Sequence, residues 1–301
     1  MRLVTNQELN EHREPGCLAV LTDRKYLHVG NSCIKRTLRR HEWISSRVSP
    51  PSTFPQRWKN DAAILQYLAT HTNIPVPRLQ CVFEDDGAFY HCTELVEGVT
   101  MDSLSEGDKK VVIQELLQHV TTLKSLRSDT PGVPGVREAG GKAAPSLLCA
   151  PERISNLHWK PNSCWQPRGS VRGDFVFCHN DLAQHNVIVD RDTLKIKAII
   201  DWEFGGFWPE WFERPYWQRP GSSCALEGEE DDTQRCRDWL VSYCDEVVMP
   251  YLPTLHEKLG IPIRDDRGLT YGLPDSQRRE TTSISEDGAE STSRDLGQNT
   301  Y

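Results

Sequence analysis

One stretch of the sequence carries side chains that could hold a metal ion and accept a proton. Residues 177–206 read FCHNDLAQHNVIVDRDTLKIKAIIDWEFGG. Within this stretch, His179, Asp181 and Asn186 follow the spacing H-x-D-L-x-x-x-N. Asp201 comes fifteen positions after Asn186, directly behind the apolar run AII. This pattern is typical of a phosphoryl-transfer loop followed by a metal-binding aspartate.

Each of these residue types suits phosphoryl transfer, in which a protein mainly positions groups and neutralises charge. The Asp181 carboxylate could orient an attacking hydroxyl and accept its proton, while His179 is expected to brace the loop rather than react. Mg²⁺ prefers oxygen ligands, so the Asn186 side-chain carbonyl and the Asp201 carboxylate could hold it. The alternative is a plain polar turn, and the strand predicted before Asp201 disfavours it.

The elements that must position these residues begin with strands in the first third of the chain. The dipeptides Gly30-Asn31 and Asp86-Gly87 predict two hairpin turns. Apolar residues at helical spacing predict a helix over residues 58–70 between the two hairpins. The predicted strands cover Leu18–Leu21, Tyr26–Val29, Ser32–Lys35, Leu79–Phe83 and Ala88–Val96.

The rest of the chain mixes helices with a few short strands. Val112 to Leu123 and Trp239 to Tyr251 show apolar residues at helical spacing, whereas residues 128–172 give no clear prediction. From about residue 265 onward, the chain has too few apolar residues to order itself, and we expect disorder. Strands are predicted over Phe175–Cys178, Val187–Val189 and Ile196–Ile200, and the last two form a third hairpin candidate around residues 191–193.

Composition excludes several classes of protein. The formal net charge of −8 disfavours binding to nucleic acid. The ten cysteines show neither C-x-x-C nor zinc-site spacing, which indicates reduced thiols. The chain shows no signal-peptide pattern and no apolar run long enough to span a membrane, so we expect a cytoplasmic protein.

Several phrases of the sequence resemble the aminoglycoside phosphotransferase and choline kinase family of the protein-kinase-like superfamily, and especially its fungal members. The resemblance covers about residues 16–260. It implies an α+β fold with two lobes, a small antiparallel-sheet N-lobe with one helix and a mainly helical C-lobe. The phrases are GNSCIKR, NIPVPRL, FEDDGAFY, ELVEGVTM, CHNDLAQHNVIVD, IIDWEFGGFWPE and RPGSSCALEGEEDD.

This resemblance also implies domain boundaries. A nucleotide-binding N-lobe would occupy residues 1–97, and a catalytic and substrate-binding C-lobe would occupy residues 98–262. The remaining residues, 263–301, would form the disordered tail.

The resemblance assigns five further residues to nucleotide binding. Lys35 falls where such enzymes hold a strand lysine that grips the phosphates, and Cys33 would pack near the adenine. The backbone of Glu94 and Val96 would bond the adenine edge. Asp61 stands where kinases carry the glutamate that pairs with the lysine, and it is one methylene shorter. Either the helix lies closer, or the ion pair is looser and activity is low.

A second departure concerns the phosphates. The chain has no G-x-G-x-x-G loop before Lys35. The turn at residues 22–25 must then cover the nucleotide phosphates, or the phosphates are held more weakly.

The residues around the motif indicate a small acceptor rather than a protein. Ala183 stands where kinases acting on Ser or Thr usually carry a lysine, and no A-P-E signature follows Asp201. A cationic acceptor could be lined by acidic side chains and by nearby aromatic rings such as Trp208. The acidic residues are Glu203, Glu210, Glu213 and the run at residues 227–232. A solvated acidic face is the alternative interpretation of that run.

The leading hypothesis is therefore a phosphotransferase that uses ATP and Mg²⁺ to phosphorylate a hydroxyl of a small molecule, without nucleic-acid or membrane partners. A kinase-like binding or regulatory protein with little catalysis is the main alternative, favoured by Asp61 and the missing glycine loop. A protein kinase is a third hypothesis, which the absence of a peptide-holding segment disfavours.

Overall fold

The chain is described here from a computed structural model. The structure describes residues 11, 13–43, 51–136, 146–154, 163–253, 258, 263–264 and 270–271. These residues fall into two compact units, Met1–Leu252 and Pro253–Tyr301. The predicted lobe boundary at residue 97 lies inside the first unit and stays a prediction.

The first part of the chain forms a five-stranded antiparallel sheet in the order β1-β2-β3-β5-β4. Helix α1, Phe54–His71, packs on β4 and β5 and buries Trp58, Ala62 and Leu65, whose spacing predicted it. The predicted α+β class, with one helix beside a small antiparallel sheet, is confirmed. The strands are β1 Cys17–Val20, β2 Arg24–Val29, β3 Ser32–Thr37, β4 Leu79–Asp85 and β5 Ala88–Glu94.

Both predicted hairpin turns are present in this sheet. Val29 pairs with Ser32, so Gly30-Asn31 forms a two-residue loop, and Gly30 has a φ of 60°. At the second turn, Asp86 and Gly87 have φ angles of 44° and 67°. Positive φ at the first central residue, or at both, matches the twist of the flanking strands, which explains why such dipeptides predict hairpins well.

An ion-pair network holds the first strands to the chain that follows them. The Glu42 carboxylate accepts hydrogen bonds from Lys25 Nζ at 2.8 Å, from Arg36 Nη2 at 2.9 Å and from the Arg39 backbone N–H at 2.8 Å. Burial alone would raise the pKa of Glu42, but the hydrogen bonds from Arg36, Lys25 and Arg39 hold it well below its ordinary value.

We expect Glu42→Gln to lower the free energy of unfolding by about 2 kcal/mol at neutral pH, because hydrogen bonds to a charged group are lost. A carboxyl with a lowered folded-state pKa stabilises the fold above its unfolded-state pKa, and this contribution disappears as pH falls through the folded-state pKa. The gap between wild type and variant in urea unfolding should therefore shrink on acidification.

The matched control is Glu106→Gln, which breaks a surface ion pair with Lys109; the Glu106 side chain is 79% exposed. Exposed pairs contribute about 0–1 kcal/mol, so this change should be small. An equal effect of the two substitutions would contradict a special role of the Glu42 network.

The second half of the first unit contains two described α-helices and several short antiparallel strands. Helix α2, Glu106–Ser125, begins after Ser105, whose hydroxyl accepts the Asp108 N–H. Helix α3 covers Thr233–Tyr243. The sheets have the orders β11-β10-β6, β12-β9-β7 and β13-β8. Their strands are β6 Val99–Thr100, β7 Arg127–Ser128, β8 Ser163–Pro167, β9 Phe175–Cys178, β10 Val187–Val189, β11 Ile196–Ile199, β12 Gly206–Trp208 and β13 Cys244–Val248.

One prediction in this half is wrong. The helix predicted from Trp239 to Tyr251 ends at Tyr243, and the next five residues form β13. This strand pairs with β8, which comes from the region that gave no clear prediction. Because helical spacing cannot report a partner strand about eighty positions away, the tertiary pairing overrides the local pattern.

The second unit is described only in part. It contains a short antiparallel pair, β14 Ile263–Arg264 and β15 Thr270–Tyr271. Most of the predicted disordered tail, 263–301, lies outside the described residues. Among the described residues, no helix is long and apolar enough to cross a membrane.

Candidate active site

The hairpin of β10 and β11 brings two of the predicted site residues together. Val187 pairs with Ile199, and the Ile200 N–H donates to the Asn186 carbonyl at 3.0 Å. Asn186 and Asp201 therefore lie at the same open end of the hairpin. Asp201 has a φ of 68°, a left-handed conformation that non-glycine residues rarely adopt and that is often found at functional sites.

The site loop, His179–Asn186, is fixed by its own side chains. Asn186 Nδ2 donates to the Asp181 carbonyl at 2.8 Å and to Asp181 Oδ2 at 3.2 Å. His179 Nε2 lies 3.0 Å from the Ile200 carbonyl, and His179 Nδ1 accepts the Asp181 N–H at 3.2 Å. These contacts select the tautomer with the proton on Nε2, and burial lowers the His179 pKa, so the ring is neutral.

Lys35 reaches the site from β3 and contacts two carboxylates. Its Nζ lies 2.7 Å from Asp201 Oδ1 and 3.6 Å from Asp61 Oδ2. Burial lowers the Lys35 pKa, but Asp201 and Asp61 more than offset it and keep the amine charged. Burial raises the pKa of Asp61 to about 6, and the nearby Asp201 adds to the rise. Of the two alternatives for Asp61, the geometry supports the looser pair.

A buried histidine stands beside this pair. His91 Nε2 is 3.8 Å from Asp61 Oδ2. Burial and the Lys35 charge lower the pKa of His91 to about 3, so the ring is neutral and the contact is no ion pair. Lys35 is therefore the cation that balances Asp61.

The donor set fits a hard cation such as Mg²⁺. The amide nitrogen of Asn186 donates to Asp181, so the side-chain oxygen of Asn186 faces other partners. At Asp201, Lys35 contacts only one of the two carboxylate oxygens. In the described part of the chain, no group of three or more His, Cys, Asp or Glu side chains forms a metal cage. Two protein oxygens suffice for Mg²⁺, which takes its remaining ligands from phosphates and water.

Two arginines border the site near Asp201. Arg57 is ion-paired with Glu203, and both Arg57 and Arg24 lie over the Phe54 ring, at 4.6 and 5.2 Å from its centroid. Arg24 is the first residue of β2, at the end of the turn proposed to cover the phosphates. Its guanidinium lies 3.3 Å from Asp23 Oδ2 and donates to the Tyr26 hydroxyl at 3.0 Å, and the charges of Glu203 and Asp201 act on it as well. Glu203 is almost completely buried. This placement favours a role in holding Arg57 rather than direct contact with an acceptor.

The predicted adenine-binding segment lies on β5 and just after it. Cys33 pairs with Thr93 across the sheet. The Glu94 N–H donates to the Arg78 carbonyl at 3.0 Å. Of the two backbone groups of Glu94, only the carbonyl could therefore bond adenine. Val96 lies two residues beyond the end of β5, outside regular secondary structure.

Trp208, proposed for substrate contact, is fully buried on β12. Its ring stacks on Phe212 at 4.7 Å and contacts Trp239 at 5.9 Å between centroids. This position favours a role in the core.

Comparison with known proteins identifies the family. A model described as the phosphotransferase enzyme family matches residues 29–213, more than half of the chain. The chain belongs to this phosphotransferase family. The matched span contains Lys35, Asp61, Asp181, Asn186 and Asp201. The predicted resemblance to aminoglycoside phosphotransferases is thereby confirmed at the level of the family.

Individual relatives are more distant. An aminoglycoside 3'-phosphotransferase of Streptomyces fradiae is 27% identical over 168 residues, which span 52% of this chain and 62% of that protein. An aminoglycoside phosphotransferase of Streptomyces rimosus, solved with ADP and streptomycin, is 18% identical with a TM-score of 0.43, over 77% of this chain and 87% of that one. A thermostable mutant of another, solved with ADP and hygromycin B, is 16% identical with a TM-score of 0.40, over 65% and 68% of the chains.

A buried clamp that the sequence did not reveal supports the site loop of this phosphotransferase-family chain. The Arg153 guanidinium donates to the Asn180 carbonyl at 3.0 Å, to the Phe212 carbonyl at 2.8 Å and to both Asp232 oxygens at 3.1 Å. Glu213 accepts the backbone N–H groups of the loop start from the other side. Arg153 lies in a segment without a helical or strand-like pattern of apolar residues, so the sequence did not predict its role.

On the hypothesis that Arg24 neutralises the phosphates of a bound ATP, Arg24→Met should weaken ATP binding about tenfold, which corresponds to the loss of one charge-assisted contact of about 1.4 kcal/mol. The affinity for adenosine should not change, because adenosine carries no phosphate. Isothermal titration with both ligands checks this. A parallel loss for adenosine would show that Arg24 supports the pocket in general rather than the phosphates.

Proposed function

We propose that this chain is an ATP- and Mg²⁺-dependent O-phosphotransferase that acts on a small molecule. The observation that carries the proposal is one connected set of charged and amide groups. Lys35 contacts Asp61 and Asp201, the β10–β11 hairpin joins Asp201 to Asn186, and Asn186 bonds Asp181. Family membership supports the same chemistry.

In this mechanism, Asp181 orients the acceptor hydroxyl and takes its proton while the oxygen attacks the γ-phosphorus of ATP. The bond from that phosphorus to the bridging oxygen breaks, and ADP leaves with that oxygen. Burial raises the pKa of Asp181 to about 6. The carboxyl is therefore ionised at neutral pH, yet more basic than an exposed aspartate. Lys35 and Arg24 neutralise phosphate charge. Asn186 and Asp201 would hold Mg²⁺, which would offset the negative charge that develops on the phosphates.

A cationic acceptor receives mixed support. The names of the relatives point to amino sugars. The acidic run at residues 227–232, however, is largely engaged within the chain. Glu229 pairs with Arg219, Glu230 with Arg214 and Asp232 with Arg153. We therefore propose a small hydroxyl-bearing acceptor. Whether this acceptor carries a positive charge is tested by comparing amino sugars with neutral sugars.

The test measures ADP release from ATP with a panel of amino sugars, neutral sugars and choline, with and without Mg²⁺. We expect turnover that requires both Mg²⁺ and an acceptor. Faster turnover with amino sugars than with their neutral counterparts would identify a cationic acceptor. Binding of ATP without turnover on any acceptor would overturn the proposal.

That last outcome would favour the second candidate, a nucleotide-binding protein with little catalysis. The observation behind it is the 3.6 Å distance between Lys35 Nζ and Asp61 Oδ2. A loose pair holds the lysine less firmly against the phosphates. Asp61→Glu, which adds the missing methylene, should then raise turnover.

A further inference from the structure

Two cysteines stand directly opposite each other in the first sheet. Cys81 of β4 is the register partner of Cys92 of β5. Directly opposed residues of an antiparallel pair have Cα atoms about 4.5–5.5 Å apart and side chains on the same face of the sheet. A disulfide requires Cα atoms about 4.4–6.8 Å apart. The backbone therefore already places these two thiols at a separation that a disulfide can bridge.

The strand beside Cys81 is irregular, which gives the cysteine room to move. Leu79 pairs with Thr93 and Cys81 with Cys92, so Gln80 is an extra residue in β4. Such a bulge interrupts the ladder and lets a strand bend locally. Cys81 can thus approach Cys92 while the pairs on the hairpin side of it stay in place.

The two thiols differ in their access to solvent. Among the ten cysteines, all of which the structure describes as free thiols, Cys81 alone is exposed. Cys92 is buried, and burial raises the pKa of its thiol to about 12, with the neighbouring Cys81 thiol adding to the rise. A reagent in solution therefore meets Cys81 first, and Cys92 waits behind it as a protonated thiol.

A second pair of thiols shows that proximity alone is not enough. Cys149 Sγ lies 3.4 Å from Cys164 Sγ. These residues are only 3% and 0% exposed, so a bulky reagent reaches neither sulfur. Buried thiols of this kind are inert, because reaction needs an accessible thiolate. Only the Cys81–Cys92 pair combines opposed positions with an accessible member.

We propose that Cys81 and Cys92 form a reversible modification site for small disulfides of the oxidised glutathione class. The Cys81 thiolate attacks one sulfur of the small disulfide, whose S–S bond breaks, and one small thiol leaves. Cys92 then loses its proton to water and attacks the Cys81 sulfur of the mixed disulfide, and the second small thiol leaves. The two cysteine thiols are oxidised to one disulfide, and the small disulfide is reduced to two thiols.

The second step is intramolecular, since the sheet holds Cys92 opposite Cys81. Reactions between groups held in this way proceed at a high effective concentration, which offsets the low thiolate fraction of a buried cysteine. The reaction requires neither ATP nor Mg²⁺.

The experiment uses the full chain, reduced with dithiothreitol and then freed of it. The protein is incubated with oxidised glutathione, remaining thiols are alkylated in denaturant, and peptide mass spectrometry locates the products. We expect a transient glutathione adduct on Cys81, followed by a cross-linked peptide that contains Cys81 and Cys92. The number of alkylated cysteines should fall from ten to eight, and dithiothreitol should restore all ten.

Three variants make the result specific. Cys92→Ala should stop at a stable glutathione adduct on Cys81, because the second thiol is missing. Cys81→Ser should give neither product, and since Cys81 is exposed this variant serves even if the alanine variant does not fold. Cys224→Ser is the control, because it removes a partly exposed thiol elsewhere in the chain and should leave the cross-link unchanged.

The Cys149–Cys164 pair is a control within the native chain, and both of its thiols should stay available for alkylation. A cross-link between those two cysteines in place of Cys81 and Cys92 would overturn the proposal. A native chain that keeps glutathione on Cys81 without forming the cross-link would overturn it as well, and so would a chain that keeps all ten thiols.

Discussion

Asp181→Asn should lower acceptor-dependent ADP release by about 10²- to 10⁴-fold, the usual contribution of a positioned general base. Asparagine preserves the shape of the side chain but cannot accept the hydroxyl proton. Its amide can still bond Asn186, which contacts Asp181 at 3.2 Å in the native chain. Nucleotide affinity should therefore stay the same while turnover falls, and steady-state kinetics with isothermal titration would measure both.

A matched control lies on the same hairpin. Asp190 is half-buried, and its Oδ1 accepts the backbone N–H groups of Asp192 and Thr193 in the turn. Asparagine can make the same contacts, so Asp190→Asn should leave turnover unchanged. Full activity of Asp181→Asn, or equal losses in the two variants, would remove the proposed base from the mechanism.

The parts of the site that the sequence predicts are those that local geometry decides. Asn186 and Asp201 are fifteen positions apart, yet a single hairpin joins them, and two short apolar strands on either side of the turn at residues 191–193 indicate that hairpin. The same holds for the Gly30-Asn31 and Asp86-Gly87 turns, where the residue types themselves permit the backbone conformation. In such cases the residues that form the structure are neighbours in the chain.

The sequence alone could not predict contacts between segments that are far apart in the chain. The lysine-to-Asp61 distance depends on how far α1 stands from β3, and spacing within α1 does not report this. The buried partner of Glu203 is Arg57, from a different element, so a carboxylate next to Asp201 was assigned to an acceptor rather than to an ion pair. Side-chain type gives charge, but only packing decides whether that charge is already balanced.

Arg153 is the clearest case of a missed residue, and its removal should have the largest effect on stability. The Arg153 and Asp232 side chains are only 1% and 3% exposed. Arg153→Met would leave a buried carboxylate without its cation and two backbone carbonyls without a donor. Breaking a buried pair on one side costs about 3–5 kcal/mol. Urea unfolding should show a loss of that size.

Arg127→Met provides the comparison, since it removes an ion pair with Asp174 in which the side chains are 50% and 75% exposed. Its cost should be about 0–1 kcal/mol. A loss from Arg153→Met no larger than this would mean that the clamp contributes little to stability.

The double variant Arg153→Met with Asp232→Leu separates the charge from the positioning of the loop. Removing the unpaired carboxylate should recover part of the lost stability, because apolar replacements of a buried pair are often nearly neutral. We expect turnover to be low in Arg153→Met and to stay low in the double variant, since the Asn180 carbonyl next to Asp181 still lacks the donor that held it. If turnover recovered together with stability, Arg153 would contribute to the stability of the fold but would not be needed to position the site loop.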